Sequence, residues 1–269
     1  MSIYSERKKA FIKQIERMGG KYRPCDIFRD FCFMARLALA NLTKDPELDA
    51  EYNRLLARYD NNVKPFQELL AIAVDAYEHQ FGDFLGECYE ELGAQNFKAG
   101  QFFTPYSVSK AMAEITITKE DVLAAIERDG YFSMNDCACG AGCTLIAGLD
   151  VLKTKHGINY QQKCLVVAQD VDDFCAAMCY IQLALLGAPA VVITGDTLTL
   201  EISKQWYTPF YQMFGWHFKE QRKHRERRQP QEETADEQIL ETCKVALELE
   251  EPPAPAPVME ASGQMAFNF

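Results

Sequence analysis

Apolar residues recur at Ile27, Phe31, Met34, Leu37 and Leu42 with polar residues between them, so Asp26–Leu42 reads as an amphipathic helix. Val63–Leu92 continues in the same manner, and residues 1–99 are expected to be all-helical. Beyond Gln101 the pattern changes. Ser107–Ile117 suits a helix, with Thr104-Pro105 just before it, where proline is well tolerated. Tyr131–Asn135 reads as a short strand and Thr144–His156 as a helix. Cys164–Asp170 is too continuously apolar for a strand wet on one side, which predicts a buried parallel strand. Phe174–Leu186 is the next helix, stopped by Gly187 and Pro189, and Ala190–Thr194 is a third strand. This βαβαβ order predicts an α/β fold built on half of a doubly wound sheet. Glu201–Gln205 is polar and reads as helix or loop.

The periodicity then breaks down. Trp206–Phe218 holds seven aromatics in thirteen residues, either a plug over a sheet edge or a surface on which a base can stack. Four segments follow: a helical segment over 1–99, an α/β core over 100–218, a basic stretch over 219–229, and an acidic, proline-rich tail over 230–269. The tail, with its Glu251–Pro257 run, reads as a stiff disordered spacer. The helical segment is either a cap on the core or a recognition or dimerisation element.

Composition narrows the class. The 269 residues suffice for one α/β core and a smaller appendage. No apolar run approaches the ~20 residues of a membrane span, and the N-terminus lacks the apolar stretch of a signal peptide, so a soluble cytoplasmic protein is expected. The formal charge of −11 opposes nonspecific nucleic-acid binding, yet nine acids and one lysine fall between Gln229 and Phe269. Just before them, Lys219, Arg222, Lys223, Arg225, Arg227 and Arg228 face only Glu220 and Glu226, so contact with DNA phosphates stays open. A solvated helix end explains that stretch equally well. Ten cysteines show no paired Cys-x-x-Cys spacing, so reduced, mostly buried thiols and no metal are expected.

Chemistry concentrates at residues 136–145, Asp-Cys-Ala-Cys-Gly-Ala-Gly-Cys-Thr-Leu. A strand-end acid, a turn with Gly140 and Gly142, and an apolar helix follow one another, which is how a doubly wound sheet opens a nucleotide-shaped crevice. The spacing departs from Gly-x-Gly-x-x-Gly, so a pyrophosphate ligand is disfavoured. A carboxylate there suits a ligand with an ammonium group, such as S-adenosylmethionine. Asp170 and Asp196 end the second and third strands. A lone strand-end Asp is usually a cap or a turn residue. Three at consecutive strand ends face one crevice, and Asp170 there suits ribose hydroxyls.

Gly100-Gln-Phe-Phe-Thr-Pro105, followed by Asp136-Cys-Ala-Cys-Gly-Ala-Gly142, resembles the adenine-N6 DNA methyltransferases, especially the methylation subunits of type I restriction-modification systems. The likeness spans roughly residues 25–218 and is strongest to small members of phage or mobile-element type. It implies a truncated Rossmann-like core that binds S-adenosylmethionine. Asp136 would take the ammonium group, the backbone around Cys139, Gly140 and Gly142 would wall the crevice, and Asp196 would meet the adenine amine. Phe103 and Thr104 would lie over the methionine end.

The chain departs from that family in one respect. The (Asn/Asp)-Pro-Pro-(Tyr/Phe) block, which holds the extruded base, is missing, and the nearest match is Tyr207-Thr208-Pro209-Phe210. Tyr207, Pro209 and Phe210 are therefore the catalytic candidates. Two functions stay open: methyl transfer to adenine N6 in DNA, or a noncatalytic cofactor-binding scaffold or accessory subunit. A specificity or partner subunit could also complete the site. Gln264, Phe267 and Phe269, at the end of the tail, resemble a sliding-clamp-binding peptide.

Overall fold

Cys164–Asp170 forms an inner strand of a four-stranded sheet, as its apolar run through Ala168 requires. The computed structural model describes residues 2–93 and 104–222. Phe103, most of the basic stretch and the whole tail, with Gln264, Phe267 and Phe269, lie outside the described residues.

Five helices come first: α1 (Ile3–Arg17), α2 (Pro24–Ala40), α3 (Pro46–Ala57), α4 (Lys64–His79) and α5 (Phe84–Glu91). Their starts follow from local chemistry. Proline opens α2, α3 and α4 within the first turn, where its missing N–H costs nothing. Asp45 and Asp83 cap α3 and α5 through their carboxylates. The long helical stretch read at Val63–Leu92 is two helices, because the chain turns at Gln80–Asp83 before Asp83 caps α5.

The sheet region begins with α6 (Tyr106–Thr116) and α7 (Lys119–Asp129), the latter ended by Gly130 at φ 82°. Then come β1 (Phe132–Asp136), α8 (Cys143–Asp150), α9 (Tyr160–Lys163), β2 (Cys164–Asp170), α10 (Asp173–Leu185), β3 (Ala190–Asp196), β4 (Glu201–Tyr207) and α11 (Pro209–Met213). The helix read at Thr144–His156 is α8 followed by a wider π-helical turn over Val151–Lys155. Strand order is β1-β2-β3-β4, with β1, β2 and β3 parallel and β4 antiparallel to β3.

β4 corrects the reading of Glu201–Gln205 as helix or loop. It is an edge strand whose first five side chains are all exposed, so backbone pairing to β3 defines it and no apolar alternation marks it.

One face of the sheet, with Met134, Val166, Ala168 and Val192, shares a continuous core with α8, α10 and the helices of residues 1–99. Helical segment and sheet thus fall within one compact unit, Met1–Phe218, and a second unit begins at Lys219. On the opposite face Tyr131, Leu165 and Val191 pack against Tyr211 and Trp216. Of the aromatic run, Tyr207, Tyr211 and Trp216 cover this face, while Trp206 packs into the other core from the edge strand β4. Among the described residues no helix is long and apolar enough to cross a membrane, and no cluster of His, Cys, Asp and Glu could hold a metal.

Candidate functional site

Register puts the three strand-end acids on one face. Asp136 pairs with Ala168, two residues short of Asp170, and Asp170 pairs with Thr194, two residues short of Asp196. Cross-strand partners share a face, and so do residues two apart. The three carboxylates therefore lie on one face and step along the carboxyl ends of the strands, about 7 Å further at each strand. Strand ends were legible in the sequence; this shared face was not.

The turn between β1 and α8 folds back over these ends. Gly140 donates its N–H to Asp170 Oδ2 at 2.8 Å, and Cys139 donates to the Gln169 carbonyl at 2.9 Å. Gly140 and Gly142 have φ of 54° and 97°, a region other residues enter only under strain. A Cβ on Gly142 would also stand 2.9 Å from Cys179 Sγ. Glycine is thus required there by both conformation and space.

Each acid is held in place. Asp136 Oδ1 accepts from Ala138 N at 3.1 Å, and its Oδ2 accepts from the Thr144 hydroxyl. Asp170 Oδ1 accepts from Asp172 N at 2.9 Å, and Asp196 Oδ1 accepts from Leu198 N at 2.8 Å. Burial raises the Asp170 pKa, backbone donors from Asp172 and Gly140 oppose that, and the charges of Asp172 and Asp136 reinforce it. A cation or donor arriving beside Asp170 would relieve that repulsion. Thr197 Oγ1 donates to the Cys137 carbonyl at 2.7 Å and ties the loop after β3 to the turn after β1.

Val171 and Leu198, 73% and 94% exposed, follow the acids that end β2 and β3. Acceptors beside apolar side chains suit a flat ring with donors on its edge. Both residues escaped the sequence reading, along with Thr144 and Thr197, because an isolated apolar or hydroxyl residue in a loop has no local signal.

The remaining assignments divide. Thr104 lies at the turn, its carbonyl accepting from Cys143 Sγ at 3.2 Å. Cys139 is buried, and a hydrogen bond with Cys179, then burial, raise its pKa, so it is a packed thiol rather than a nucleophile. Tyr207, Pro209 and Phe210 are not brought to this site. Tyr207 pairs with Val191, the Thr208 N–H bonds the Ala190 carbonyl, and the Phe210 ring lies beside Gly187. Tyr207 packs with Leu165 and Val191 on the face opposite the acids, and although nearly level with Asp136 it stands about 16 Å along the strand from Asp196. The cause of that separation is the antiparallel β4, which carries the chain back down the sheet before Tyr207 occurs.

A family model described as N-6 DNA methylase matches residues 79–240. The type I restriction enzyme MpnII methylase subunit of Mycoplasma pneumoniae is 30% identical over 141 residues, 49% of this chain and 23% of that protein. The crystal structure of a type I restriction-modification system methyltransferase subunit from Streptococcus thermophilus aligns over 73% of this chain and 58% of its own, with 14% identity and a TM-score of 0.35. The chain thus spans under a quarter of the curated relative's length.

Proposed function

Because the chain belongs to the N-6 DNA methylase family, we propose that it binds S-adenosylmethionine at Asp136, Asp170 and Asp196 and serves methyl transfer to adenine N6 in DNA. In this reading the sheet is the cofactor half of a Rossmann-like core, and the chain is a methylation module of type I restriction-modification kind. One observation carries it: three carboxylates on one face at consecutive parallel strand ends, beside a glycine turn.

The residues fit the cofactor by the chemistry of their groups. Besides its carboxylate, S-adenosylmethionine offers an ammonium, a sulfonium, two ribose hydroxyls and an exocyclic amine, all cationic or donors. The site offers carboxylate oxygens, each with lone pairs beyond its backbone bond. Asp136 would hold the ammonium, Asp170 the ribose hydroxyls and Asp196 the adenine amine, with Val171 and Leu198 against the ring. When bound, the cofactor supplies the electrophilic methyl group. The chain's part is to hold and orient it, since the glycine turn lets the backbone come close.

A second reading is favoured by the packing of Tyr207 on the face opposite the acids and by the missing amide-Pro-Pro-aromatic block. Here the chain holds the cofactor, and a partner subunit supplies the base pocket and the DNA specificity. Calorimetry with S-adenosylmethionine, paired with transfer of labelled methyl to unmethylated DNA, separates the two, with Asp136→Ala as control. Binding and label that both vanish in Asp136→Ala identify an enzyme complete in itself. Binding without label identifies the cofactor module. No binding by the folded protein overturns both.

A further inference from the structure

Gln182 is wholly buried in α10, among apolar residues on every side of that helix. An amide there is costly unless all its hydrogen-bonding capacity is used. It is all used. Nε2 donates to the Ala141 carbonyl at 2.6 Å and to Asp83 Oδ1 at 2.8 Å. Oε1 accepts from the Leu85 N–H at 3.0 Å and from the Tyr77 hydroxyl.

These partners come from three places. Tyr77 is on α4, Asp83 and Leu85 form the start of α5, and Ala141 lies between the two positive-φ glycines of the turn. Asp83 is itself fixed, because its carboxylate caps α5 through Gly86 N at 3.1 Å, and a Cβ on Gly86 would collide with it. Bonds from the sheet side hold Cys139 and Gly140, while Gln182 holds Ala141 from the helical side. A buried polar network adds little net stability over apolar packing, but it selects one geometry.

We propose that Gln182 is a positioning residue: it clamps the Ala141 carbonyl to α4 and α5 and so sets the glycine turn in the shape that receives S-adenosylmethionine. The ligand rests on the function proposed above; the clamp on the turn does not.

The test uses the full chain and two readouts, hydrogen–deuterium exchange of the unliganded protein over 137–144 and calorimetric affinity for S-adenosylmethionine. Gln182→Leu is expected to speed exchange in the turn roughly tenfold while β2 keeps its protection, and to weaken the cofactor by a similar factor. Tyr77→Phe, a milder change that touches no turn residue, should loosen the same peptide about threefold, and it carries the test should Gln182→Leu fail to fold. Unchanged exchange over 137–144 in the folded variants would overturn the clamp. A loosened turn with unchanged affinity would overturn its role toward the cofactor. Absence of binding by the unmodified chain would instead reject the function above, leaving exchange alone to decide the clamp.

Discussion

Arg36 Nη1 lies 2.6 Å from Asp173 Oδ1, a contact that joins α2 to the start of α10 across 137 residues of chain. Arg36 Nη2 reaches Asp173 Oδ2 at 3.0 Å, and the guanidinium stacks 4.3 Å from the Trp206 ring. Its side chain is 1% exposed, against 29% for Asp173. Asp173→Ala would leave a buried guanidinium without its carboxylate, holding only the residue-173 carbonyl at 3.3 Å on that side, a change that costs about 3 kcal/mol. Arg36→Met should cost less, because Asp173 keeps Lys204 at 3.1 Å and Thr194 at 2.8 Å. Urea denaturation of both variants checks the order, and the reverse order would refute it.

Two carboxyls, Asp173 half-buried and Asp83 buried, should give stability opposite slopes with pH. Burial pushes Asp173 up, but the hydrogen bond and charge of Arg36, with Thr194 and Lys204, outweigh it and hold the group at about 2. An unfolded Asp titrates near ~3.9, so this contribution is present above that pH and is lost as pH falls toward 2. Asp83 is the converse: burial holds it at about 6 despite bonds from Gln182 and the Gly86 N–H. Its contribution is complete below ~3.9 and is lost as pH rises through 6. Asp83→Asn should therefore gain stability relative to the unmodified chain between pH 4 and 7. Denaturation midpoints at several pH values read this directly, and a constant difference would contradict it.

Gly142→Ala meets two penalties, φ of 97° and a Cβ 2.9 Å from Cys179 Sγ, whereas Gly130→Ala at φ 82° meets nothing within 4 Å. Backbone strain alone costs ~1–3 kcal/mol. Both variants should lose that much, and Gly142→Ala more. Equal losses would mean that Cys179 gives way.

Phe210→Ala tests the placement of the aromatic run. The ring packs near Gly187 and 5.5 Å from the Phe214 ring, at the amino end of the sheet. Stability should fall by about 1–2 kcal/mol for a half-buried ring, while S-adenosylmethionine affinity stays within about twofold. A large loss of affinity in a folded variant would bring the run to the crevice after all.

The chain's own pattern determined much of this. The apolar run Cys164–Asp170 and the three strand-end acids stand in the sequence as they stand in the fold, because burial on both faces and the end of a strand are local properties. β4 was hidden because an exposed edge strand is held by backbone bonds, which leave no side-chain period. Gln182 did carry a signal, one amide in an apolar helix, yet Ala141, Tyr77, Asp83 and Leu85 lie 41 to 105 residues away from it. Tertiary structure alone decided that Asp136, Asp170 and Asp196 share one face, that Gln182 clamps the glycine turn, and that Tyr207 packs on the opposite face. Periodicity and capping act within a few residues of the chain, whereas register and buried polar partners arise only when distant segments pack.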